Sequence, residues 1–124
     1  MPAPVVHFEI GCRDSERAKK FYGELFGWKF EAYGPAAMIS NVGKMAGTEG
    51  IGGHINALGH EPHKYVTIYA QVDDLQASLD KASKLGGKTM VPPQEVPGMG
   101  HFAWFADPEG NVVGLWKPIM QRPS

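Results

Sequence analysis

Five histidines and one cysteine are the side chains of this 124-residue sequence best suited to bind a metal ion or move a proton. His7 and Glu9 lie two residues apart in the segment PVVHFEIG, so on a β-strand both would point to the same face. An imidazole and a carboxylate on one face could hold a divalent cation or transfer a proton. Because Cys12 is the only cysteine, neither an internal disulfide nor an all-cysteine metal site is possible.

The other reactive side chains are expected to have ordinary roles. His60 and His63 have H-x-x-H spacing, but Pro62 between them prevents a regular helix face, which predicts a solvated loop. His101 follows a flexible GMG segment and is expected at the surface. Cys12 lies next to a helix start, where a thiolate would be favoured, yet a small buried residue is the simpler interpretation.

The first histidine falls in a strand predicted for Pro4–Gly11, which is rich in β-branched and aromatic residues. A helix should follow, capped by Asp14 and Ser15 and ended by Gly27. Apolar residues at i, i+3, i+4, i+7 and i+8 form one stripe that we expect in the core: Ala18, Phe21, Tyr22, Leu25 and Phe26.

The same pattern returns later in the chain. A strand is predicted for Tyr65–Val72, followed by a capping-box-like start at Asp73 and Gln76 and a stop at Gly86–Gly87. The second helical stripe comprises Leu75, Leu79, Ala82 and Leu85. Four features recur at an offset of sixty residues: His7 with Thr67, Asp14 with Asp74, Leu25 with Leu85, and Gly27 with Gly87. This shared offset indicates an internal duplication.

Each helix is followed by room for three short strands. In the first copy they are predicted at Trp28–Tyr33, Ala36–Val42 and Ile51–Leu58. In the second copy they are predicted at Lys88–Pro92, Gly100–Phe105 and Asn111–Lys117, with a turn at Asp107–Asn111. The predicted fold class is α+β: two tandem βαβββ modules that form curved mixed sheets around a cleft. We expect one domain over residues 1–124, with module 1 at about 4–58, a linker at 59–64 and module 2 at about 65–118.

Composition narrows the classes of partner. Hydrophobic residues make up 43% and charged residues 20% of the chain, as in an ordinary globular protein. The net charge is −1 with no basic run, which argues against nucleic acid or a membrane surface as the main partner. No segment approaches the length of a membrane span, and no signal-peptide pattern opens the chain, so a cytoplasmic location is expected.

Several runs resemble one known family. The segments HFEI, DSERAKKFYGELFGW, VDDL and GMGHFAWFADPEGNVVGLW together resemble the glyoxalase, bleomycin-resistance and extradiol dioxygenase superfamily, also called the vicinal oxygen chelate fold. The resemblance covers nearly the whole chain. It implies the fold but no single activity, because the superfamily mixes isomerases, dioxygenases, thiol transferases and metal-free drug binders.

The resemblance also implies where metal ligands would lie. In metal-using members, the first and last strand of each module supply them. These positions are His7 and His54 in the first module, and Thr67 and Gly114 in the second. Half of the usual set is therefore absent, including the closing glutamate. A site of His7, Glu9 and His54 is an off-pattern alternative.

We therefore expect a metal-independent protein that binds a small, partly aromatic or apolar molecule, without a cofactor. The alternative is an enzyme, a lyase, isomerase or dioxygenase, whose zinc, nickel, iron or manganese ion is held by His7 and His54. A third possibility is a dimeric partner-binding module with a vestigial cleft. The resemblance implies a homodimer. The residues expected to line the cleft are His7, Glu9, His54, Asn56, Thr67, Tyr69, Gly114 and Trp116.

Overall fold

The computed structural model describes residues 2–33, 36–41, 43–57 and 65–119. The predicted linker 59–64, with His60 and His63, lies outside these ranges. The chain divides into two compact units, one of residues 6–67 and the other of residues 1–5 and 68–124.

The first unit contains one helix and the strands that surround it. Its elements are β1 (Val5–Gly11), α1 (Ser15–Phe26), β2 (Lys29–Tyr33), β3 (Ala36–Asn41), β4 (Lys44–Met45), β5 (Thr48–Glu49) and β6 (Gly52–Asn56). The strand order is β2-β3-β6-β1, with β1 parallel to β6. The short hairpin of β4 and β5 forms its own two-stranded sheet and accounts for the longer loop of this module.

The second unit repeats the arrangement without the extra hairpin. Its elements are β7 (Val66–Gln71), whose first two residues fall in the first unit, α2 (Leu75–Lys84), β8 (Lys88–Val96), β9 (Gly100–Ala106) and β10 (Val112–Pro118). The strand order is β7-β10-β9-β8, with β10 parallel to β7. The α+β class and the two tandem βαβββ modules are confirmed.

Residues that are sixty positions apart in sequence occupy equivalent positions in the strand pairing of the two modules. Glu9 on β1 pairs with His54 on β6, and Tyr69 on β7 pairs with Gly114 on β10. Tyr69 and Gly114 each stand sixty residues after their counterparts. Equivalent backbone positions in the two modules therefore carry very different side chains.

The two helices bury different amounts of their apolar stripes. In α2, Leu75 and Leu79 join Ala103 and Leu115 in a buried cluster. In α1, none of the residues is fully buried, and three members of the predicted core stripe, Phe21, Leu25 and Phe26, are each more than half exposed. The expectation that this stripe lies in the core is wrong for those three residues, as it is for the exposed Leu85 after α2.

The helix ends follow the expected chemistry with one change of residue. Asp14 caps α1 by accepting from the Arg17 N–H at 3.1 Å, and Gly27 ends that helix with φ of 77°. The predicted cap of the second helix, Asp73, is wrong because the neighbouring Asp74 accepts from the Ala77 N–H at 3.0 Å. The capping-box partner Gln76 instead donates to Asp80 at 3.0 Å.

The second half of module 2 differs from expectation at one strand. β8 runs to Val96 rather than ending at Pro92, and its pairing with β9 shifts register between Thr89 and Val91 and again between Val91 and Gln94. Prolines at positions 92 and 93 have no N–H to donate, which explains why the ladder is irregular there. The predicted turn is confirmed: the Asp107 carboxylate accepts from the N–H groups of Glu109 and Asn111, both at 2.9 Å.

Candidate functional site

Four of the residues predicted to bind a ligand meet on adjacent strands of the first unit. β1 carries His7 and Glu9, and the parallel strand β6 carries His54 and Asn56. Side chains two residues apart point to the same face, so the two strands present one polar cluster. Within it, Nε2 of His7 lies 2.7 Å from Nδ1 of His54, a normal hydrogen-bond distance.

The carboxylate of Glu9 lies behind this histidine pair. Glu9 is 2% exposed, and its Oε2 accepts a hydrogen bond from Nδ2 of Asn56 at 3.1 Å and another from the hydroxyl of Tyr65. Its Oε1 is 3.5 Å from Nε2 of His54. Glu9 therefore faces one ring nitrogen of His54 while His7 faces the other.

Burial favours the neutral form of both imidazoles at pH 7. The pKa of His7 is lowered from 6.5 to about 4, mainly by burial and also by the adjacent His54, against an opposing effect of Glu9. Burial also lowers the pKa of His54, against an opposing effect of Glu9. A neutral imidazole has one N–H donor and one acceptor nitrogen, so the pair can be joined by only one hydrogen.

Tyr65 belongs to this cluster although the sequence analysis did not select it. Its backbone carbonyl accepts from the Gly11 N–H at 2.9 Å, at the end of β1. Its ring lies over Gly11 so closely that a Cβ atom there would overlap the ring. A glycine inside a strand often marks such a close approach, so Gly11 was the available signal.

The second unit has a ring where the first has its histidine and carboxylate. Tyr69 is 5% exposed and lies directly over Gly114, where an added Cβ would be 2.9 Å from Cγ of the tyrosine and nearer still to its ring edge. Nε1 of Trp104 donates to the Tyr69 hydroxyl at 2.8 Å, and Phe102 packs edge-on against the same ring. This tyrosine fills the space that a side chain at position 114 would need.

The other predicted residues of this region have less distinctive surroundings. Thr67 is buried on β7, and Trp116 is half-buried on β10, where it pairs with Phe102 of β9 and Gln71 of β7. His101 is exposed on β9, as expected.

The environment of Cys12 is unfavourable for a thiolate. Burial, and to a smaller extent the Asp14 carboxylate, raise the pKa of the Cys12 thiol. Its Sγ donates to the backbone oxygen of Asn56 at 3.7 Å. The expectation of a buried residue is wrong, because Cys12 is only half-buried.

The residues present do not fit a complete metal centre. Within residues 2–33, 36–41, 43–57 and 65–119, no three His, Cys, Asp or Glu side chains group so as to hold a metal ion. His7 and His54 offer two facing nitrogens, but Glu9 approaches the opposite nitrogen of His54 and so lies behind the pair. Gly114 has no side chain to contribute. Three protein ligands are usual in catalytic zinc sites, whereas here the two imidazole nitrogens that face each other are within hydrogen-bond distance of one another.

The helices are short: among the described residues, none is long and apolar enough to cross a membrane.

Comparisons with known proteins agree on one family. The sequence model of the protein family described as the Glyoxalase/Bleomycin resistance protein/Dioxygenase superfamily matches residues 5–115 of this chain. A glyoxylase-like domain-containing protein of Didymella fabae is 34% identical over 115 residues, covering 86% of this chain and 88% of that protein. The anthracycline biosynthesis protein DnrV of Streptomyces peucetius is 27% identical over 132 residues, covering 94% of this chain and 47% of that protein, so the chain spans about half its length.

Solved structures share the fold at low sequence identity. A variant of Streptomyces coelicolor methylmalonyl-CoA epimerase, solved in complex with 2-nitronate-propionyl-CoA, is similar with a TM-score of 0.67 and 13% identity. The match covers 97% of this chain and 100% of the epimerase chain. At this identity the likeness shows the fold alone.

Proposed function

Because the chain belongs to the glyoxalase/bleomycin resistance protein/dioxygenase superfamily, we propose that it binds a small, partly aromatic or apolar molecule without a metal cofactor. The polar anchor of this site is the cluster of His7, Glu9, His54 and Asn56. The observation that carries the proposal is the pair of imidazoles joined at 2.7 Å and backed by a buried carboxylate.

The chemistry of the cluster favours an uncharged ligand. Neutral imidazoles offer one donor and one acceptor each and can bind hydroxyl, carbonyl or N–H groups. The cluster contains no Arg or Lys that could clamp a carboxylate or phosphate, and the buried Glu9 repels anions. The binding energy would then come mainly from apolar contact, with a few polar groups setting the orientation.

Ligand-induced stabilisation tests this proposal. The melting temperature would be measured with a panel of uncharged bicyclic aromatic alcohols and ketones, and with their carboxylated analogues. At one hundred times Kd, a ligand adds about 2.7 kcal/mol to the stability of the folded state. We expect shifts with members of the uncharged panel in the native protein and in His101→Ala, an exposed histidine in the other unit. The shifts should be lost in His7→Ala and His54→Ala.

Two results would contradict the proposal. One is the absence of any shift across the panel, which would favour a partner-binding module with a vestigial site. The other is equal shifts in all three histidine variants, which would place binding away from the cluster.

A second candidate is a metal-dependent lyase, isomerase or dioxygenase, favoured by the facing nitrogens of His7 and His54. Burial lowers the pKa of both rings and so favours the neutral state, which is the state that metal ligation requires. Metal analysis of purified protein separates the candidates. Near-stoichiometric metal that is lost in His7→Ala and His54→Ala but kept in His101→Ala would support the enzyme and exclude the metal-free proposal.

We further propose a homodimer, which the family resemblance implies, and a cytoplasmic location, which is expected from the sequence.

A further inference from the structure

We infer that Glu9 is a positioning residue that determines which nitrogen of His54 carries hydrogen and, through His54, which nitrogen of His7 does. The inference rests on the proposed function for its relevance to ligand binding. The tautomers themselves exist without a ligand and can be measured without one.

The position of the Glu9 carboxylate is fixed by two donors on the same oxygen. Asn56 and Tyr65 both donate to Oε2, and Tyr65 is itself held to the end of β1 by its hydrogen bond from Gly11. Rotating the carboxylate would weaken both bonds to a side chain that is almost fully buried, where a lost hydrogen bond is costly. Oε1 is therefore held toward Nε2 of His54.

A carboxylate oxygen facing an imidazole nitrogen favours the tautomer with hydrogen on that nitrogen. In the other tautomer, the lone pair of that nitrogen would face a negatively charged oxygen, which is unfavourable. At 3.5 Å the contact is longer than an ordinary hydrogen bond, so the preference is electrostatic. With hydrogen on Nε2, Nδ1 of His54 is an acceptor. The 2.7 Å contact then requires Nε2 of His7 to be the donor.

Replacing the carboxylate with an amide should reverse this pattern. In Glu9→Gln, the single amide oxygen is the only group that can accept from Asn56 and Tyr65, so the NH₂ group faces His54. The partial positive charge of this NH₂ group favours a lone pair on Nε2 of His54, so the hydrogen moves to Nδ1. Nε2 of His7 in turn becomes an acceptor, and hydrogen is carried by its Nδ1. Glu9→Asp keeps the charge and should keep the native tautomers.

The experiment is NMR of protein containing ring-¹⁵N-labelled histidine, at a fixed pH of about 7.5, where unshifted imidazoles are neutral. Two-bond ¹H–¹⁵N correlations identify the tautomers, and His7→Ala and His54→Ala assign the signals. We expect hydrogen on Nε2 of both histidines in the native protein and in Glu9→Asp, and on Nδ1 of both in Glu9→Gln. The exposed His101 is the internal reference and should have the same pattern in every variant.

The inference is overturned if native His54 carries hydrogen on Nδ1, or if a folded Glu9→Gln keeps the native pattern. It is also overturned if Glu9→Asp reverses the tautomers, because charge would then not be the cause. Should Glu9→Gln fail to fold, the native protein and Glu9→Asp still decide. A protein with the expected tautomers that binds nothing in the aromatic panel would retain this inference and lose the proposed function.

Discussion

Adding a single methyl group at Gly114 should destabilise the protein strongly, because the ring of Tyr69 already occupies that space. In Gly114→Ala, the new Cβ would lie 2.9 Å from Cγ of Tyr69 and nearer still to Cδ2 and Cε2. No relaxed structure allows such contacts, so the ring or the strand must move. The ring is buried and is tied to Trp104 by a 2.8 Å hydrogen bond.

The loss of stability can be estimated from the steric overlap with the ring of Tyr69 and from the hydrogen bond between that ring and Trp104. Overpacking a well-filled core costs about 1–3 kcal/mol. Displacing the ring far enough to break its hydrogen bond to Trp104 adds ~0.5–1.5 kcal/mol. We therefore expect Gly114→Ala to lower the free energy of unfolding by about 2–4 kcal/mol, a large part of the 5–15 kcal/mol typical of a domain.

The assay is urea denaturation at pH 7, with Gly52→Ala as the matched control. Gly52 also lies in a strand, but a Cβ there meets no atom within 4 Å. Its substitution should be neutral or stabilising by ~0.4–1 kcal/mol, because alanine restricts the unfolded chain. A double-mutant cycle with Tyr69→Ala completes the test: once the ring is removed, Gly114→Ala should cost little. Equal costs with and without the ring would refute the steric explanation.

Three further predictions concern the polar cluster and the last turn. Tyr65→Phe removes a hydrogen bond to a buried carboxylate and should cost ~1.5–3 kcal/mol in urea denaturation; an unchanged midpoint would show that this bond contributes nothing. Because the pKa of His7 falls from 6.5 to about 4 on folding, the unfolded state binds more protons between these values. Stability should be full above pH 6.5 and fall by ~1–2 kcal/mol as the pH drops toward 4, after allowance for solvent screening, and His54 should add to the fall. In His7→Ala, the dependence of stability on pH should be weaker. If it is unchanged, other titratable groups cause it. Asp107→Ala should lower the melting temperature more than Glu109→Ala, since only the aspartate side chain accepts backbone N–H groups in the turn.

Local patterns were sufficient to predict the order of the elements apart from the β4–β5 hairpin, and two members of the polar cluster. Strand alternation places His7 and Glu9 on one face, and the family resemblance implies His54 as the matching position on the last strand of the module. Tyr65 could not be found in this way, because its role depends on a hydroxyl that contacts Glu9 from a residue 56 positions away in sequence. No periodic pattern encodes such a contact, and only Gly11 hinted at it.

The helical periodicity identified which residues share one face of a helix but did not predict how deeply that face is buried. The stripe of Phe21, Leu25 and Phe26 has a correct helical period, yet the side chains are more than half exposed. Periodicity reports which residues share a side of a helix but not how much of that side a sheet covers. The cap of the second helix shows a similar limit: Asp73 and Asp74 both match a capping pattern, and the backbone conformation selects the second.

In the two modules, the same strand register supports a polar pair of side chains in one case and an apolar, tightly packed pair in the other. Glu9 pairs with His54 exactly where, sixty residues later, Tyr69 pairs with Gly114. In the first module the pair leaves room for a carboxylate that contacts an imidazole, and a second imidazole completes a hydrogen-bonded chain. In the second module, the ring of Tyr69 occupies the corresponding space, and Gly114 contributes no side chain. A glutamate at position 114 would thus require a smaller residue at position 69, because the ring of Tyr69 occupies the space that its side chain would need.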